Sequence, residues 1–181
     1  ARVVDQVNTL DADVVVITGD FVDDERITPR LYDDLCAELS RLTAPTFGVL
    51  GNHDHWAGAD TVTACVESAG VTLLSNRHHI FERNGERLHL AGVDDVYEKC
   101  HDLDRALEGV PDDSFVLLLA HESDFADAVA ADGRVALQLS GHSHGGQVRL
   151  PLIGSIITPP MGRKYDMGLY TVDDLLLYVN R

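Results

Sequence analysis

An α/β fold of two stacked, mostly mixed β-sheets flanked by helices, a four-layer αββα sandwich, follows from three features of the chain. Apolar runs short enough for buried strands alternate with helix-patterned segments through the first half. The second half turns to closely spaced strands with hairpin signals, which a simple strand-and-helix alternation does not accommodate and two packed sheets do. Finally, four of the apolar runs end directly in residues able to hold a ligand, as happens where strands deliver their carboxyl ends to one crevice. At 181 residues the chain suits one well-buried domain, so 1–181 is read as a single unit.

Each element has its own signal. Val3, Val4, Val7 and Leu10 recur at helical spacing, and Asp11-Ala12-Asp13 breaks into the strand 14–17 and then Thr18-Gly19-Asp20. A helix that feeds a parallel strand normally follows an earlier strand, so an opening strand is expected to be missing. Residues 21–26 read as a loop with solvated charges. Thr28 caps a second helix with Pro29 at its first position, and Leu31, Leu35, Leu39 and Leu42 form its buried stripe. Strand 47–50 runs into the loop Gly51-Asn52-His53-Asp54-His55. Asp60 caps a helix carrying Val62, Cys65, Val66 and Ala69, closed by Gly70.

Strands follow at 71–74, 79–82 and 87–91, the last two joined through Asn84-Gly85. Leu103, Ala106, Leu107 and Val110 make a short helix ended by Gly109 and Pro111. Strand 115–119 leads into Ala120-His121-Glu122, and Ser123 caps a helix with Phe125, Ala128 and Val129 inward. Strand 135–139 leads into Gly141-His142-Ser143-His144-Gly145-Gly146, and strands at 147–150, 168–172 and 175–179 close the chain.

Composition narrows the function. A net charge of −16 argues against a surface that grips a nucleic-acid backbone, so a phosphate substrate would have to be drawn in by bound cations. Cys36, Cys65 and Cys100 are odd in number and lack a CxxC pair, so reduced or partly buried thiols are expected. No apolar run approaches the roughly 18 residues of a membrane span, and no signal-peptide pattern is present. Opening on Ala1 and stopping just past a strand, the chain is read as truncated at both ends, with the parent's location, cytoplasmic or peripheral to a membrane, left open.

The four strand tips offer Asp20, Asn52, His53, His121, His142 and His144. Two imidazoles one residue apart among glycines can face a common point. Carboxylate, amide oxygen and imidazole without a nearby thiolate favour manganese, iron or zinc. Two such ions would acidify a water and stabilise both oxygens of an in-line displacement, which is the hydrolysis of a phosphate ester.

In order and context, Gly19-Asp20, Gly51-Asn52-His53-Asp54, His121 and Gly141-His142-Ser143-His144 resemble the calcineurin-like metallophosphoesterases. The ending through Gln147-Val148-Arg149-Leu150-Pro151 is most similar to a bacterial branch of phosphohydrolases that includes phosphodiesterases of lipid head groups and nucleotide-linked lipids. The resemblance implies that Asp20 bridges two metals, that Asn52, His121 and His142 complete the second site, and that His144 serves the first. It implies that His53 protonates the leaving group, with Asp54 orienting its ring. The family's first-strand Asp-x-His is absent, so one well-formed metal site is expected here and a second in the parent.

Other residues carry weaker expectations. His78, His79, His89 and His101 read as surface or satisfied histidines, Asp94-Asp95 as a turn or as the edge of the site, and His55 has no assigned role. Trp56 is either a substrate-facing wall or core; Arg149, Arg163 and Lys164 are solvated or meet a substrate phosphate; selectivity would lie in loops such as 158–163. The alternative function is a non-catalytic platform of the same fold that binds a partner protein.

Overall fold

A computed structural model describes residues 2–23, 28–146, 148–150 and 154–181. The expectations for Asp24, Glu25, Arg26 and Gln147, and for the side chain of Arg149, lie outside the described residues. The helices are α1 (Arg2–Asn8), α2 (Pro29–Leu39), α3 (Asn52–Ser68), α4 (Leu103–Ala106) and α5 (Ala126–Asp132), with a 3-10 turn at Ser123–Phe125. The strands are β1 (Val15–Ile17), β2 (Thr46–Gly48), β3 (Val71–Leu73), β4 (Arg77–Arg83), β5 (Glu86–Gly92), β6 (Phe115–Leu119), β7 (Leu137–Ser140), β8 (Val148–Leu150), β9 (Gly154–Ile157), β10 (Gly168–Val172) and β11 (Leu175–Val179).

Two sheets form the body. One is parallel, in the order β1-β2-β3; the other is mixed, in the order β10-β11-β7-β6-β5-β4, with antiparallel pairs at its two edges. Strand periodicity explains the layers, because successive side chains point to opposite faces. Leu117 and Leu119 of β6 join Phe47, Val49, Leu74 and Leu90 between the sheets, while Val116 and Leu118 face Ala106, Leu107, Ala126 and Val129 under α4 and α5. On the far side, Val62, Val66, Val71 and Leu73 pack with Leu35 and Leu39, which seats α2 and α3 on the parallel sheet. The expected αββα layering is therefore present.

Several local expectations need correction. The stripe of α2 is only partly covered, and Leu31 is 52% exposed. Residues 52–55, read as a loop, form the first turn of α3, and the helix start expected at Asp60 lies just past a kink at Gly58 (φ 110°). The Ser123 hydroxyl donates to the Tyr165 carbonyl (2.6 Å) instead of capping a helix. β8 and β9 make a two-stranded ribbon of their own, and β9 was not foreseen because its run is too short to carry a pattern. The Asn84-Gly85 turn is as expected, both residues taking positive φ (55° and 83°).

The cysteine expectation fails for two of three. Cys36 and Cys65 form a disulfide with their Cα atoms 5.8 Å apart, whereas Cys100 is free and exposed. Counting and spacing along the chain could not see that α2 and α3 lie side by side.

Candidate active site

The turns after β1 and β2 in one sheet meet those after β6 and β7 in the other. His121, which follows β6, donates from Nδ1 to the carbonyl of Thr18 beyond β1 (2.6 Å). Its own carbonyl accepts from the amide of Gly141, just past β7 (2.9 Å). The amide of His53 donates to Oδ1 of Asp20 (3.2 Å), tying the start of α3 to the first turn. His121 and His142 stand with ring centroids 4.9 Å apart at 75°. Asp20, Asn52, His53, His121 and His142 are thus drawn toward one region.

The backbone is distorted at the expected ligands. Asp20, His142 and His144 all take positive φ (53°, 62° and 52°), a conformation that costs a bulky residue energy and that clusters at functional sites. His144 itself is exposed, with no ion pair or side-chain hydrogen bond among the described residues. No set of three or more His, Cys, Asp or Glu side chains is arranged as a ready metal cage among the described residues.

Among the described residues six buried side-chain atoms lack a hydrogen-bond partner, and two of them, Oδ1 of Asn52 and Nε2 of His121, belong to the expected ligands; the others are on His89, Asp95, His101 and Gln138. The His121 nitrogen lies 3.2 Å from Oδ2 of Asp20, but not in hydrogen-bonding alignment. Because Nδ1 is committed to Thr18, a neutral His121 carries its lone pair on Nε2, the form in which imidazole binds metals. At His142, Nε2 faces the Pro160 carbonyl (2.7 Å), leaving Nδ1 as the atom available to a ligand.

Charge is tightly coupled here. Burial alone would lower the pKa of His121, but the nearby Asp20 carboxylate outweighs it and pushes the value up to about 9. Burial alone would raise Asp20, yet His121 holds it below the usual carboxylate range. Burial, with the neighbouring charge of His121, lowers His142.

Asp54 departs from its expected role. Its carboxylate is fully buried and accepts from the amides of Gly51 (2.9 Å) and Val22 (3.1 Å), and burial raises it to about 6. It shapes the turn that presents Asn52 and His53. The ring of His53 instead directs Nδ1 at the Asp23 carbonyl (3.1 Å). His55, left without a role by the sequence, pairs with Asp94 (2.8 Å).

Sequence reasoning missed a second buried layer. Glu122 and Asp95 are both fully buried. Glu122 accepts from the amides of Val96 (3.1 Å) and Tyr97 (3.2 Å), and Asp95 from that of Glu98 (2.6 Å). Burial and the neighbouring Glu122 raise Asp95 to about 7. Asp95 is therefore buried within its turn, and the signal available was only a carboxylate immediately after His121.

Residues 1–146 match the profile of the calcineurin-like phosphoesterase family. Over 180 residues the chain is 37% identical to YkuE of Bacillus subtilis, described as an uncharacterized metallophosphoesterase, covering 97% of this chain and 62% of that protein. Over 174 residues it is 30% identical to the phosphodiesterase YaeI of Escherichia coli, covering 93% of this chain and 62% of that protein. Among solved structures, the NAD nucleotidase NadN of Haemophilus influenzae superposes with a TM-score of 0.64 at 17% identity, over 99% of this chain and 43% of that one. The chain thus spans a little under two thirds of YkuE and of YaeI. No helix among the described residues is long and apolar enough to cross a membrane.

Proposed function

Because the chain belongs to the calcineurin-like phosphoesterase family, we propose that the protein containing it hydrolyses phosphodiesters or phosphomonoesters with divalent metal ions held by Asp20, Asn52, His121 and His142, and His144 at a second ion. The observation that carries this reading is the pair of orphaned atoms, Asn52 Oδ1 and His121 Nε2. A buried polar atom without a partner costs about 1–3 kcal/mol, and a cation between these two would remove both penalties. The donor set, one carboxylate, one amide oxygen and imidazoles, suits manganese, iron or zinc.

When bound, the ions supply Lewis acidity that neutralises phosphoryl oxygens and acidifies water. The chain's residues do the rest. Thr18 and Pro160 carbonyls fix the rings of His121 and His142, so little ordering is left for binding. Asp54, by gathering the amides of Gly51 and Val22, sets the α3 terminus where Asn52 and His53 begin it. His53, free of the ligand set and with Nδ1 turned to the Asp23 carbonyl, would act as the imidazolium, giving its Nε2 proton to the departing oxygen and keeping the Nδ1 proton on the carbonyl as a neutral ring.

What supports hydrolysis over a partner-binding platform is that Asn52 Oδ1 and His121 Nε2 are both left without partners at the tips of two strands in different sheets, where the expected ligands gather. The test is manganese titration by calorimetry, alongside turnover of bis(p-nitrophenyl) phosphate by the full-length protein. Asn52→Ala and His121→Ala should abolish the tighter site and turnover together. Manganese affinity unaffected by either substitution overturns the reading. For the 181-residue chain alone one tight site is expected, and two equally tight ones would contradict the assignment.

A further inference from the structure

An aromatic corner lies beside the proposed proton donor. Trp56 sits one helical turn after His53 on α3, with ring centroids 4.8 Å apart, and Tyr97 meets Trp56 edge-on at 6.2 Å and 80°. Both rings are large and open, Trp56 being 43% and Tyr97 41% exposed. Their placement is not loose. The indole N–H donates to Oε1 of Glu98 (2.9 Å). The turn carrying Tyr97 and Glu98 is held from below by Glu122 and Asp95, whose buried carboxylates take its amides. Two fully buried acids outside the proposed ligand set thus fix this turn against α3, with His55 and Asp94 adding a second tie.

We propose that Trp56, Tyr97 and Glu98 form a subsite for an organic ammonium group carried on one arm of the phosphoester, as in choline or ethanolamine esters. The proposal rests on the phosphoesterase reading and names its substrate class. Two ring faces at right angles beside a carboxylate attract a weakly hydrated cation through the ring quadrupoles and direct charge. A purely apolar arm would gain nothing from Glu98. An arm bearing further phosphates would be repelled by it, by Asp94 and by the net charge of −16. Among the described residues the cation–π contact is Lys164 over Tyr165, and no described lysine or arginine stacks on Trp56 or Tyr97.

The test uses the full-length protein and two readouts. Choline and its neutral isostere 3,3-dimethylbutan-1-ol are titrated by isothermal calorimetry, which needs neither turnover nor the fluorescence of Trp56, the one tryptophan of the 181 residues. Choline should bind about 3- to 10-fold tighter, the span of a partly exposed cation–π contact, with the difference lost in Trp56→Leu and in Tyr97→Leu and partly kept in Trp56→Phe. Equal affinities, or no saturable change with choline, overturn the proposal. In the second readout, glycerophosphocholine is compared with glycerophosphoglycerol, and phosphatidylcholine vesicles with phosphatidylglycerol vesicles. Preference for choline in either pair supports the subsite and assigns its source as soluble diester or lipid; equal rates in both pairs count against it. Choline binding without any ester hydrolysis would leave the subsite standing and sink the phosphoesterase reading.

Discussion

A β-carbon on Gly51 would lie 2.7 Å from Cε1 of His121, and would also collide with the Asp20 carboxylate. The backbone at Gly51 is extended (φ −115°), so any residue could adopt it; space alone demands glycine. Gly51→Ala should therefore push His121 and Asp20 apart, lowering manganese affinity at least tenfold and costing about 1–3 kcal/mol of stability by overpacking. Gly70 offers the contrast: its φ is +93° but nothing stands within 4 Å of an added β-carbon. Gly70→Ala should cost about 1 kcal/mol through backbone strain alone and leave manganese affinity as it was. Calorimetry and urea unfolding of both variants check the pair.

Removing the proton donor should separate binding from turnover. His53 contacts the site through its backbone amide, which donates to Asp20, while its ring reaches the Asp23 carbonyl and Trp56. His53→Ala keeps the amide and deletes the ring. Turnover of a substrate with a poor leaving group should fall about 10²- to 10⁴-fold, with manganese affinity changed less than threefold. A loss of affinity equal to the loss of rate would mean that the ring is a ligand. With p-nitrophenol departing, which needs little protonation, the rate defect should be smaller.

What could be read in the chain divides by range. The four strand tips were legible because each strand announces itself by a local apolar run and each tip by a side chain that neither core nor surface explains. Convergence of Asp20, Asn52, His121 and His142 then followed from where strands in α/β sheets present their ends. The fine assignments were not legible. Whether Asp54 serves the His53 ring or the Gly51 and Val22 amides is decided by the first turn of α3 folding back on residue 22, a contact across 32 positions that no local pattern encodes. The buried Glu122 and Asp95 likewise depend on how the turn after β5 lies over the end of β6. The pairing of Cys36 with Cys65 depends on α2 lying against α3.

The tie between His55 and Asp94 should leave a pH signature in stability. Hydrogen bonding to Asp94 raises His55 above its ordinary value, while burial, which alone would raise Asp94, is outweighed by His55 and that carboxyl is lowered. A raised histidine stabilises the fold below pH 6.5 and loses that contribution as pH climbs through its folded-state value. The lowered aspartate stabilises above about pH 4 and loses its share on acidification. The pair is therefore worth most between roughly pH 4 and 6.5. His55→Gln keeps a donor but no charge, so it should cost about 1–2 kcal/mol at pH 5.5 and clearly less at pH 9, read from urea unfolding. An identical cost at both values would show that the charge of His55 contributes nothing.

The Cys36–Cys65 bridge should make stability depend on redox conditions. The cysteines are 29 positions apart, and closing a loop of that length in the unfolded chain corresponds to about 3–4 kcal/mol in the chain-entropy description. Little else holds α2 firmly: none of its residues is fully buried, and its partly covered Tyr32, Leu35 and Leu39 are its share of the cluster over the parallel sheet. Because α3 begins with Asn52 and His53, an α2 freed from it would leave the outer side of that helix less well covered. Reduction, or the Cys36→Ser/Cys65→Ser double variant, should therefore lower the unfolding free energy by about 2–4 kcal/mol. A reductant should have no further effect on the double variant, since Cys100 is a single exposed thiol. Hydrogen exchange should place the loosening in α2 and the second half of α3 first, while the amides of β6 and β7, buried in the other sheet, keep their protection. Unchanged unfolding free energy on reduction would mean that helix packing alone sets the position of α2.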